Sequence, residues 1–434
     1  MILQVIFLIL LVASVLLFTR NFKRILRNIR LAKNINRSSN SKERWKVMIN
    51  VALGQSKMVK RPIAGFLHIL IYVGFVIINI EVIEIVIDGI FGTHRVLSFL
   101  GPVYSVLIAS FEVLALLVII SCIFFFTRRN IMKIPRFFNN EMKGWPTNDA
   151  NFILIFEVIL MLAFLFMNAS DALLFKLESY HYTVEFANPI SQWLMPIMAN
   201  TNETTLIIIE RACWWFHIVG ILLFLNYLVV SKHLHIILAF PNTYYSKLEK
   251  SGKISNMDEV TNEVKLMLDP NNDPFAINPD QSTPERFGAK DISDLNWVQL
   301  LNAYSCTECG RCTSECPANQ TGKLLSPRKI MMDVRDRAEE VGKRLDKNLD
   351  PNDGKSLLST ISKEELWACT SCNACTEACP INIDPLSIII DLRRYLVMEE
   401  SAAPNELNLI FNNIENNGAP WQFSMTDRLN WKDE

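Results

Sequence analysis

Residues 304–317 read YSCTECGRCTSECP, and residues 367–380 repeat the pattern as WACTSCNACTEACP. Both copies fit C-x2-C-x2-C-x3-C-P and together hold eight of the ten cysteines. Three thiolates at two-residue gaps can wrap three corners of a four-iron cluster, and the fourth cysteine reaches the neighbouring cluster. The spacing therefore predicts two [4Fe–4S] clusters, one held by Cys306, Cys309, Cys312 and Cys379, the other by Cys369, Cys372, Cys375 and Cys316.

Zinc is the main alternative for this pattern, because C-x2-C pairs also bind Zn²⁺. A zinc site gives no role to the third close cysteine or to Pro317 and Pro380, which follow the fourth cysteine of each copy. Disulfides are disfavoured in a long chain with no secretory signal. The two other cysteines, Cys122 and Cys213, lie in apolar runs and are interpreted as core residues.

The chain upstream of the cysteines is apolar in long blocks. Half of the residues are hydrophobic and the mean hydropathy is +0.20. Five blocks approach or exceed the roughly 20 residues that a helix needs to cross a bilayer. The first block lacks the basic start and small-residue cleavage site of a signal peptide, so we expect an uncleaved anchor. The blocks are residues 2–18, 63–87, 102–126, 151–169 and 204–230.

The loops between these blocks differ in charge. Thirteen Lys and Arg residues lie between the first and second blocks and five between the third and fourth, whereas the other two loops hold only Arg95 and Lys176. Because basic loops stay in the cytoplasm, we expect the N-terminus outside and the cysteine-rich half in the cytoplasm. The predicted location is the cytoplasmic membrane of a bacterium or archaeon.

The predicted fold is all-α, with a five-span transmembrane helix bundle followed by a cytoplasmic α-helical ferredoxin-type domain. We place the membrane domain at residues 1–240 and a linker rich in Pro, Asn, Asp and Ser at 241–295. The dicluster domain is predicted at 296–400, and a tail follows at 401–434.

Helices are predicted inside the dicluster domain near residues 326–345, 363–368 and 384–399. Pro327 suits the first turn of a helix, where its missing N–H is harmless. A long helical segment between the two cysteine runs indicates the α-helical form of a two-cluster module.

Histidines in or beside the spans are candidate haem ligands. His217 and His235 are 18 residues apart. In a continuous helix this is five turns, so the two would share a face about 27 Å apart. That arrangement suits two b-type haems near opposite membrane surfaces. His68, at the cytoplasmic start of the second span, is the predicted partner of His235.

The second haem needs a partner for His217 near the outer surface. His94 is the candidate, because the glycines just before it permit the loop to turn back towards the bundle. His181 is the alternative. His233 would lie on the opposite helix face and is interpreted as a neighbour of the haem. An interhelical hydrogen bond is the alternative role for a histidine within a span.

Carboxylates cluster at the outer ends of two spans. Glu81, Glu84 and Asp88 end the second span, and Glu210 lies near the start of the fifth. One interpretation is ordinary interfacial charge. The other is a quinone site, in which a carboxylate accepts the proton of a quinol.

The chain resembles two families. Spans two to five, with His68, His217 and SKHLHII, resemble the di-haem cytochrome b subunit of respiratory nitrate reductase and of membrane heterodisulfide reductase. CTECGRCTSECPA, TGKLLSPR and CTSCNACTEACP resemble the two-cluster part of heterodisulfide reductase-type iron–sulfur oxidoreductases. The resemblance implies two [4Fe–4S] clusters, one or two b haems, and a quinone (menaquinone or ubiquinone) as substrate.

The chain departs from these families in two places. Nitrate reductase-type cytochromes carry two ligands ten residues apart in the early helix, and here position 78 is Ile78. Family members that reduce disulfides, or take electrons from flavoproteins, carry cysteine-rich CCG repeats after the ferredoxin part, and this sequence ends without them. We therefore expect a separate cytoplasmic redox partner: a CCG-type iron–sulfur protein, an electron-transferring flavoprotein or a flavin dehydrogenase.

These features predict an electron-transfer subunit of a quinone-linked oxidoreductase complex, embedded in the lipid bilayer and without a nucleic-acid partner. A different class, a redox sensor or membrane-anchored scaffold without turnover, is the alternative. A reductase acting alone on a soluble substrate is disfavoured, because no nucleophile or substrate pocket is evident.

Overall fold

The computed structural model describes residues 1–250, 252–269 and 286–433, and these contain helices and turns but no strand. Part of the predicted linker, residues 270–285, lies outside the described residues. The helices are α1 (Ile2–Ile29), α2 (Ser41–Met48), α3 (Pro62–Phe91), α4 (Pro102–Asn130), α5 (Trp145–Lys176), α6 (Met195–Met198), α7 (Glu203–Leu228), α8 (His235–Tyr244), α9 (Asp258–Leu268), α10 (Trp297–Ser305), α11 (Arg311–Ser314), α12 (Pro317–Gln320), α13 (Pro327–Asp346), α14 (Lys363–Trp367), α15 (Ala374–Ala378), α16 (Pro385–Met398) and α17 (Asn405–Asn417).

Five of these helices, α1, α3, α4, α5 and α7, are long and apolar enough to cross a membrane. They match the five predicted spans, so the chain is a multi-pass membrane protein and the predicted all-α class is confirmed. Helices α10 to α16 carry the two cysteine runs and form what we call the cysteine domain. We call the side of the bilayer that carries this domain the near side and the other the far side.

Proline and glycine mark several helix ends. α3, α4, α13 and α16 all begin with proline, where the absent N–H has no intrahelical partner to lose. α3 ends at Gly92, whose φ of 71° is a left-handed conformation that glycine adopts without strain. The local sequence therefore sets where the chain enters and leaves the bundle.

The helix of the fifth span ends at Leu228, and a break separates α7 from α8. Asp149 of α5 holds this break, because its carboxylate accepts bonds from the Tyr227 hydroxyl and, at 3.0 Å, from the Lys232 N–H. The prediction that one unbroken helix places His217 and His235 on a shared face was therefore wrong. A turn redirects the chain between them.

The cysteine domain has its own apolar core, to which residues from outside the predicted domain bounds also belong. Ile25 and Ile29 at the end of α1 are buried in it, and so are Ile292 and Leu295. Beyond α1, the Lys33 N–H bonds to the Leu295 carbonyl at 2.7 Å. The first helix thus runs from the bilayer into the core of the cysteine domain.

Candidate functional site

The two cysteine runs fold as two copies of one backbone turn. In the first, Glu308 and Gly310 have φ of 55° and 70°, and in the second, Ser371 and Asn373 have φ of 56° and 62°. These residues lie two and four positions after the first cysteine of each run. Left-handed residues reverse the chain sharply, and their repetition lets each loop wrap its cysteines around a common point.

The fourth cysteine of each run crosses to the other copy. One small pocket is lined by the first three cysteines of the first run and the last two of the second: Cys306, Cys309, Cys312, Cys375 and Cys379. Cys316 lies near Cys369, since its thiol helps to raise the Cys369 pKa, for which burial is the larger cause. The structure therefore brings together the cysteines that the spacing grouped, and their role as cluster ligands stays a prediction.

Backbone amides already point at two of these sulfurs. The Ser371 N–H donates to Cys369 Sγ at 3.4 Å, and the Ile383 N–H donates to Cys379 Sγ at 3.3 Å. Bonds of this kind tune the potential of an iron–sulfur cluster. Among the described residues, no three Cys, His or carboxylate side chains converge closely enough for a single metal ion. A wider spacing suits a four-iron cluster, whose thiolates bind different iron atoms.

His68 and His235 face one another across the near-side end of the bundle. Their ring centroids lie 6.4 Å apart. A metal bound axially by two imidazoles needs about 6 Å, from metal–nitrogen bonds of about 2.0 Å and the radius of each ring. The His235 Nδ1 bonds to the Lys232 carbonyl at 3.0 Å, which leaves Nε2 available. The pair fits an iron between its rings.

His217 has the same kind of orientation deeper in the bundle. It is 1% exposed, and its Nδ1 bonds to the Leu160 carbonyl at 3.1 Å, so Nε2 is the free nitrogen. His217, His68, His233 and His235 all line one cavity of about 580 Å³. This volume lies within the range of about 300–1,000 Å³ typical of cofactor and ligand sites.

The other predicted histidines lie apart from this cavity. His94 packs against Tyr182, with ring centroids 5.1 Å apart, and its Nε2 lies 3.5 Å from Asp171. Burial above all lowers the His94 pKa to about 4. His181 is exposed. Within the described part of the chain, the cavity lining includes neither His94 nor His181. The pairing of His94 with His217 therefore stays a prediction.

The carboxylates at the far end of α3 are engaged in local structure. Glu84 accepts the Leu97 N–H at 2.8 Å and the Tyr104 hydroxyl at 3.0 Å. Asp88 accepts the Arg95 N–H at 2.8 Å. These bonds tie the loop after α3 to the helix, so they favour a structural role for Glu84 and Asp88.

Two further far-side carboxylates differ from one another. Glu210 pairs with Arg211 and accepts the Tyr182 hydroxyl at 2.9 Å, which also favours a structural role. Glu81 is buried, and neither of its oxygens has a hydrogen-bond partner among the described residues, although Arg95 lies 3.6 Å away. The predicted quinone site at this end therefore has one acid that is not committed to the fold.

Four arginines line the near-side part of the cavity, and sequence reasoning assigned the three outside the first cysteine run only to topology. They are Arg128, Arg129, Arg136 and Arg311. Arg129 and Arg311 bond to backbone carbonyls, and the Nε atoms of Arg129 and Arg136 are buried without a hydrogen-bond partner among the described residues. Burial and neighbouring cations, Arg61 first among them, lower the Arg136 pKa to about 10. Such a cluster is suited to an anionic ligand.

The cavity reaches from the bundle to the cysteine domain. Its lining includes His68 and His235 of the bundle, and Cys309 and Pro380 of the two cysteine runs. The space beside the facing histidines is thus continuous with the space beside the first run. The two groups of candidate ligands belong to one site.

A buried ion network closes the same junction. The Lys232 ammonium lies 2.6 Å from Glu308, and Arg335 bonds the other oxygen of Glu308 at 2.7 Å. Lys232 also lies 3.8 Å from Asp149, the residue that holds the break after α7. Lys232 and Glu308 are 76 residues apart, and the cysteine pattern leaves the identity of residue 308 open, so sequence reasoning had no signal for this contact.

Comparison with known proteins shows which kinds of protein the chain is similar to. The family model of a 4Fe-4S dicluster domain matches residues 302–383, which confirms the predicted ferredoxin-type domain after the membrane bundle. The chain is 31% identical to the "Probable iron-sulfur-binding oxidoreductase FadF" of Bacillus subtilis over 99% of its own length and 60% of the relative's. It is 26% identical to the "EtfAB:quinone oxidoreductase" of Syntrophomonas wolfei, covering 88% of this chain and 53% of that protein.

A third relative matches the cysteine domain. The chain is 33% identical over 117 residues to one subunit of the "Ferredoxin/F(420)H(2)-dependent CoB-CoM heterodisulfide reductase" of Methanosarcina acetivorans, which is 27% of this chain and 60% of that protein. No solved structure matches the chain. The chain spans a little over half the length of the first two relatives, and its relatives are iron–sulfur oxidoreductases that include subunits of electron-transfer complexes.

Proposed function

We propose that this chain is a membrane electron-transfer subunit of a quinone-linked oxidoreductase. Electrons pass between a redox partner on the cytoplasmic side and the quinone pool, by way of two [4Fe–4S] clusters and a b-type haem between His68 and His235. Two relatives, an iron-sulfur-binding oxidoreductase and an EtfAB:quinone oxidoreductase, support the two ends of this route by their names.

The observation that carries the proposal is the single cavity that joins the two groups of ligands. Its lining includes the facing imidazoles of His68 and His235, and also Cys309 and the residue after Cys379. A cofactor between the imidazoles would therefore lie against the loops that hold the first cluster. Short, insulated separation between redox centres is what a protein supplies to electron transfer, and the haem supplies the one-electron chemistry when bound.

The chain's own groups fit a b haem at this place. The unpartnered Nε atoms of Arg129 and Arg136 are donors for the two propionate carboxylates, which the bilayer could not solvate. The carbonyl of Lys232 fixes the ring of His235, so that Nε2 and not Nδ1 would be the nitrogen that holds an iron. Apolar residues such as Ile71 and Ile153 complete the walls and exclude water.

The proposed partner is a separate redox subunit, either an electron-transferring flavoprotein, a flavin dehydrogenase or a CCG-type iron–sulfur protein. In this proposal the cysteine domain faces the cytoplasm and the N-terminus lies outside. The charge of the loops supports this orientation, since the two basic loops lie on the near side.

Difference spectroscopy tests the function. Dithionite-reduced minus oxidised spectra of the purified full chain should contain b-haem bands, and a quinol should reduce the same bands. Clusters without haem, or haem that no quinol reduces, would contradict the proposal and favour the sensor or scaffold. The matched control is His181→Ala, which alters an exposed histidine outside the cavity and should leave the spectra unchanged.

A further inference from the structure

Glu157 lies inside the bundle, on the cavity face of α5. Residues of this helix that line the cavity recur every three or four positions, and among the described residues Glu157 is the only carboxylic acid in the lining. At about 1.5 Å per residue, Glu157 lies about 18 Å from Trp145 at the near end of α5. His217 lies about 17 Å from Leu228 at the near end of α7 by the same measure. Both are therefore close to the middle of the bilayer.

The carboxyl group of Glu157 has no ion pair or hydrogen bond to another described residue, and its neighbours on the cavity face of α5, Leu154 and Leu160, are apolar. Ionisable side chains within a bilayer are costly to bury, and they mark ligand or proton pathways when no structural partner accounts for them. Three of the far-side acids differ, because Glu84, Asp88 and Glu210 each have such partners, whereas Glu81 lies outside this cavity lining. Glu157 is a group whose use the fold does not explain.

Two more polar groups share this part of the cavity. Asn79 is three turns beyond His68 on the same face of α3, and both line the cavity. One N–H of the Asn79 amide bonds to the Phe75 carbonyl, and the other is free to donate. His217 presents an unprotonated Nε2, because its Nδ1 bonds to a carbonyl.

This set of groups has the chemistry of a quinol headgroup site. α3 contains one histidine, His68, and this residue faces His235, so His217 has no histidine opposite it on α3. An acid, an amide and an imidazole offer one donor and two proton acceptors to two ring oxygens. The set suits hydrogen bonding to a quinol better than a second pair of axial iron ligands.

The same cavity reaches the lipid-facing surface of α3. Phe75 and Val76 line it and are 40% and 53% exposed within a span. A ligand from the hydrocarbon region could enter between α3 and its neighbours without crossing water. Entry from lipid, apolar walls and a few polar groups at the end of the path describe a site for a membrane-soluble quinol.

We propose that Glu157, His217 and Asn79 form the headgroup site of a quinol, with Glu157 as the proton-accepting residue; this inference rests on the proposed function. On oxidation, the two O–H bonds of the quinol break. One proton goes to the Glu157 carboxylate and the other to His217 Nε2. The two electrons would leave one at a time to a ferric b haem, which His68 and His235 would hold and which would supply the one-electron chemistry. Asn79 donates to a ring oxygen, and quinone reduction follows the reverse course.

The test uses the full chain and menadiol, a soluble quinol, with dithionite as a reductant that needs no site. Glu157→Gln keeps shape and removes proton acceptance, so reduction by menadiol should slow by about 10²–10⁴-fold, while dithionite-reducible haem and clusters stay at wild-type levels. Glu157→Asp should recover part of the rate. Glu185→Gln, an exposed acid in the far-side loop, is the matched control and should keep the wild-type rate.

The outcomes separate this site from the wider function. Wild-type menadiol rates in Glu157→Gln would overturn the site and leave the proposed function standing. Absence of quinol reduction in the wild type, with dithionite-reducible haem present, would overturn both. Two haems per wild-type chain, one of which is lost in His217→Ala, would assign His217 to iron and overturn its role here. One haem per chain, kept in His217→Ala, supports the inference.

Discussion

The cysteine loops and the histidine cavity are assembled from different distances along the chain. Each cysteine run is one short loop, and its last member lies beside the cysteines of the other copy. The facing histidines come from the second span and from beyond the fifth, and a helix break held by Asp149 places the later one. A site formed by short loops can be recognised from the spacing of its residues in the sequence, whereas a site formed between helices depends on where each helix ends.

The largest effect should come from the cysteine loops. Cys309→Ser removes a thiolate from the pocket that it shares with Cys306, Cys312 and Cys379, and a four-iron cluster needs all four ligands. We expect cluster iron, after subtraction of haem iron, to fall by about half, because one of two clusters is lost, while the protein still enters the membrane. Iron analysis and EPR of the purified chain measure this. Cys122→Ser, in a span, should keep its full iron content, and so would Cys309→Ser if the cluster assignment were wrong.

The second effect concerns the histidine cavity. His235→Ala and His68→Ala each remove one side of the facing pair, so either should abolish the bands of the haem between them and leave the cluster EPR signals. Absorption and EPR spectra of the same preparation measure both. His181→Ala, outside the cavity, should change neither. Retention of full haem in both His235→Ala and His68→Ala would refute the pairing.

A third prediction concerns the buried ion network between the cysteine loops and the histidine cavity. Lys232→Met leaves the Glu308 carboxylate, 3% exposed, with Arg335 as its remaining cation. Removing one partner of a buried ion pair costs about 3–5 kcal/mol, and the lower value is expected here because Arg335 stays. Chemical unfolding in detergent, followed by cluster absorbance, measures the loss. Lys265→Met, on the exposed face of α9, should have no effect, and an equally small change in Lys232→Met would mean that the network is dispensable.

The smallest effect lies at the surface end of the same junction. Asp346 pairs with Arg27 and is 27% exposed, so the pair should contribute below about 1 kcal/mol. The hydrogen bond from Arg27 lowers the Asp346 pKa. The contribution is therefore present above the unfolded pKa of about 3.9 and is lost as the pH falls through the lower folded value.

Thermal unfolding against pH measures this small effect. Asp346→Asn removes the titrating group, so it should slightly flatten the loss of stability on the acid side. Glu406→Gln, which alters an exposed acid on α17, should leave the acid side unchanged. An Asp346→Asn profile identical to that of the wild type would mean that the pair contributes nothing measurable.

These contrasts explain which predictions the sequence supported. The five spans and the helices that begin at Pro327 and Pro385 follow from local hydropathy and from residues at helix ends, and the structure confirms them. The turn between α7 and α8 does not follow from the local sequence. It is held by Asp149, which accepts the N–H of Lys232, 83 residues later in the chain. A contact over that separation leaves no periodic signal in the sequence.

The unpredicted part of the site consists of residues whose role depends on what lies opposite them. Arg129 and Arg136 were assigned to topology, because a basic loop is the expected feature at the near side of a membrane. Glu157 is one acid in an apolar run, and only the packing of α5 against the cavity separates it from an isolated polar residue. Motif reasoning finds ligands that come in sets, and misses single residues that complete a site from another helix.

The passage of α1 from the bilayer into the core of the cysteine domain also sets an order of biosynthesis. Asn28 of this helix bonds to the Tyr304 hydroxyl at 3.0 Å, and a side chain at Gly342 would collide with Asn28. Because synthesis proceeds from the N-terminal side, α1 waits, with Ile25 and Ile29 uncovered, until Tyr304 is made 276 residues after Asn28. Contacts at such separation form late in folding. Chaperones and cluster-assembly factors would thus meet a chain that is already inserted in the membrane, with its cysteine loops open before α13 docks on α1.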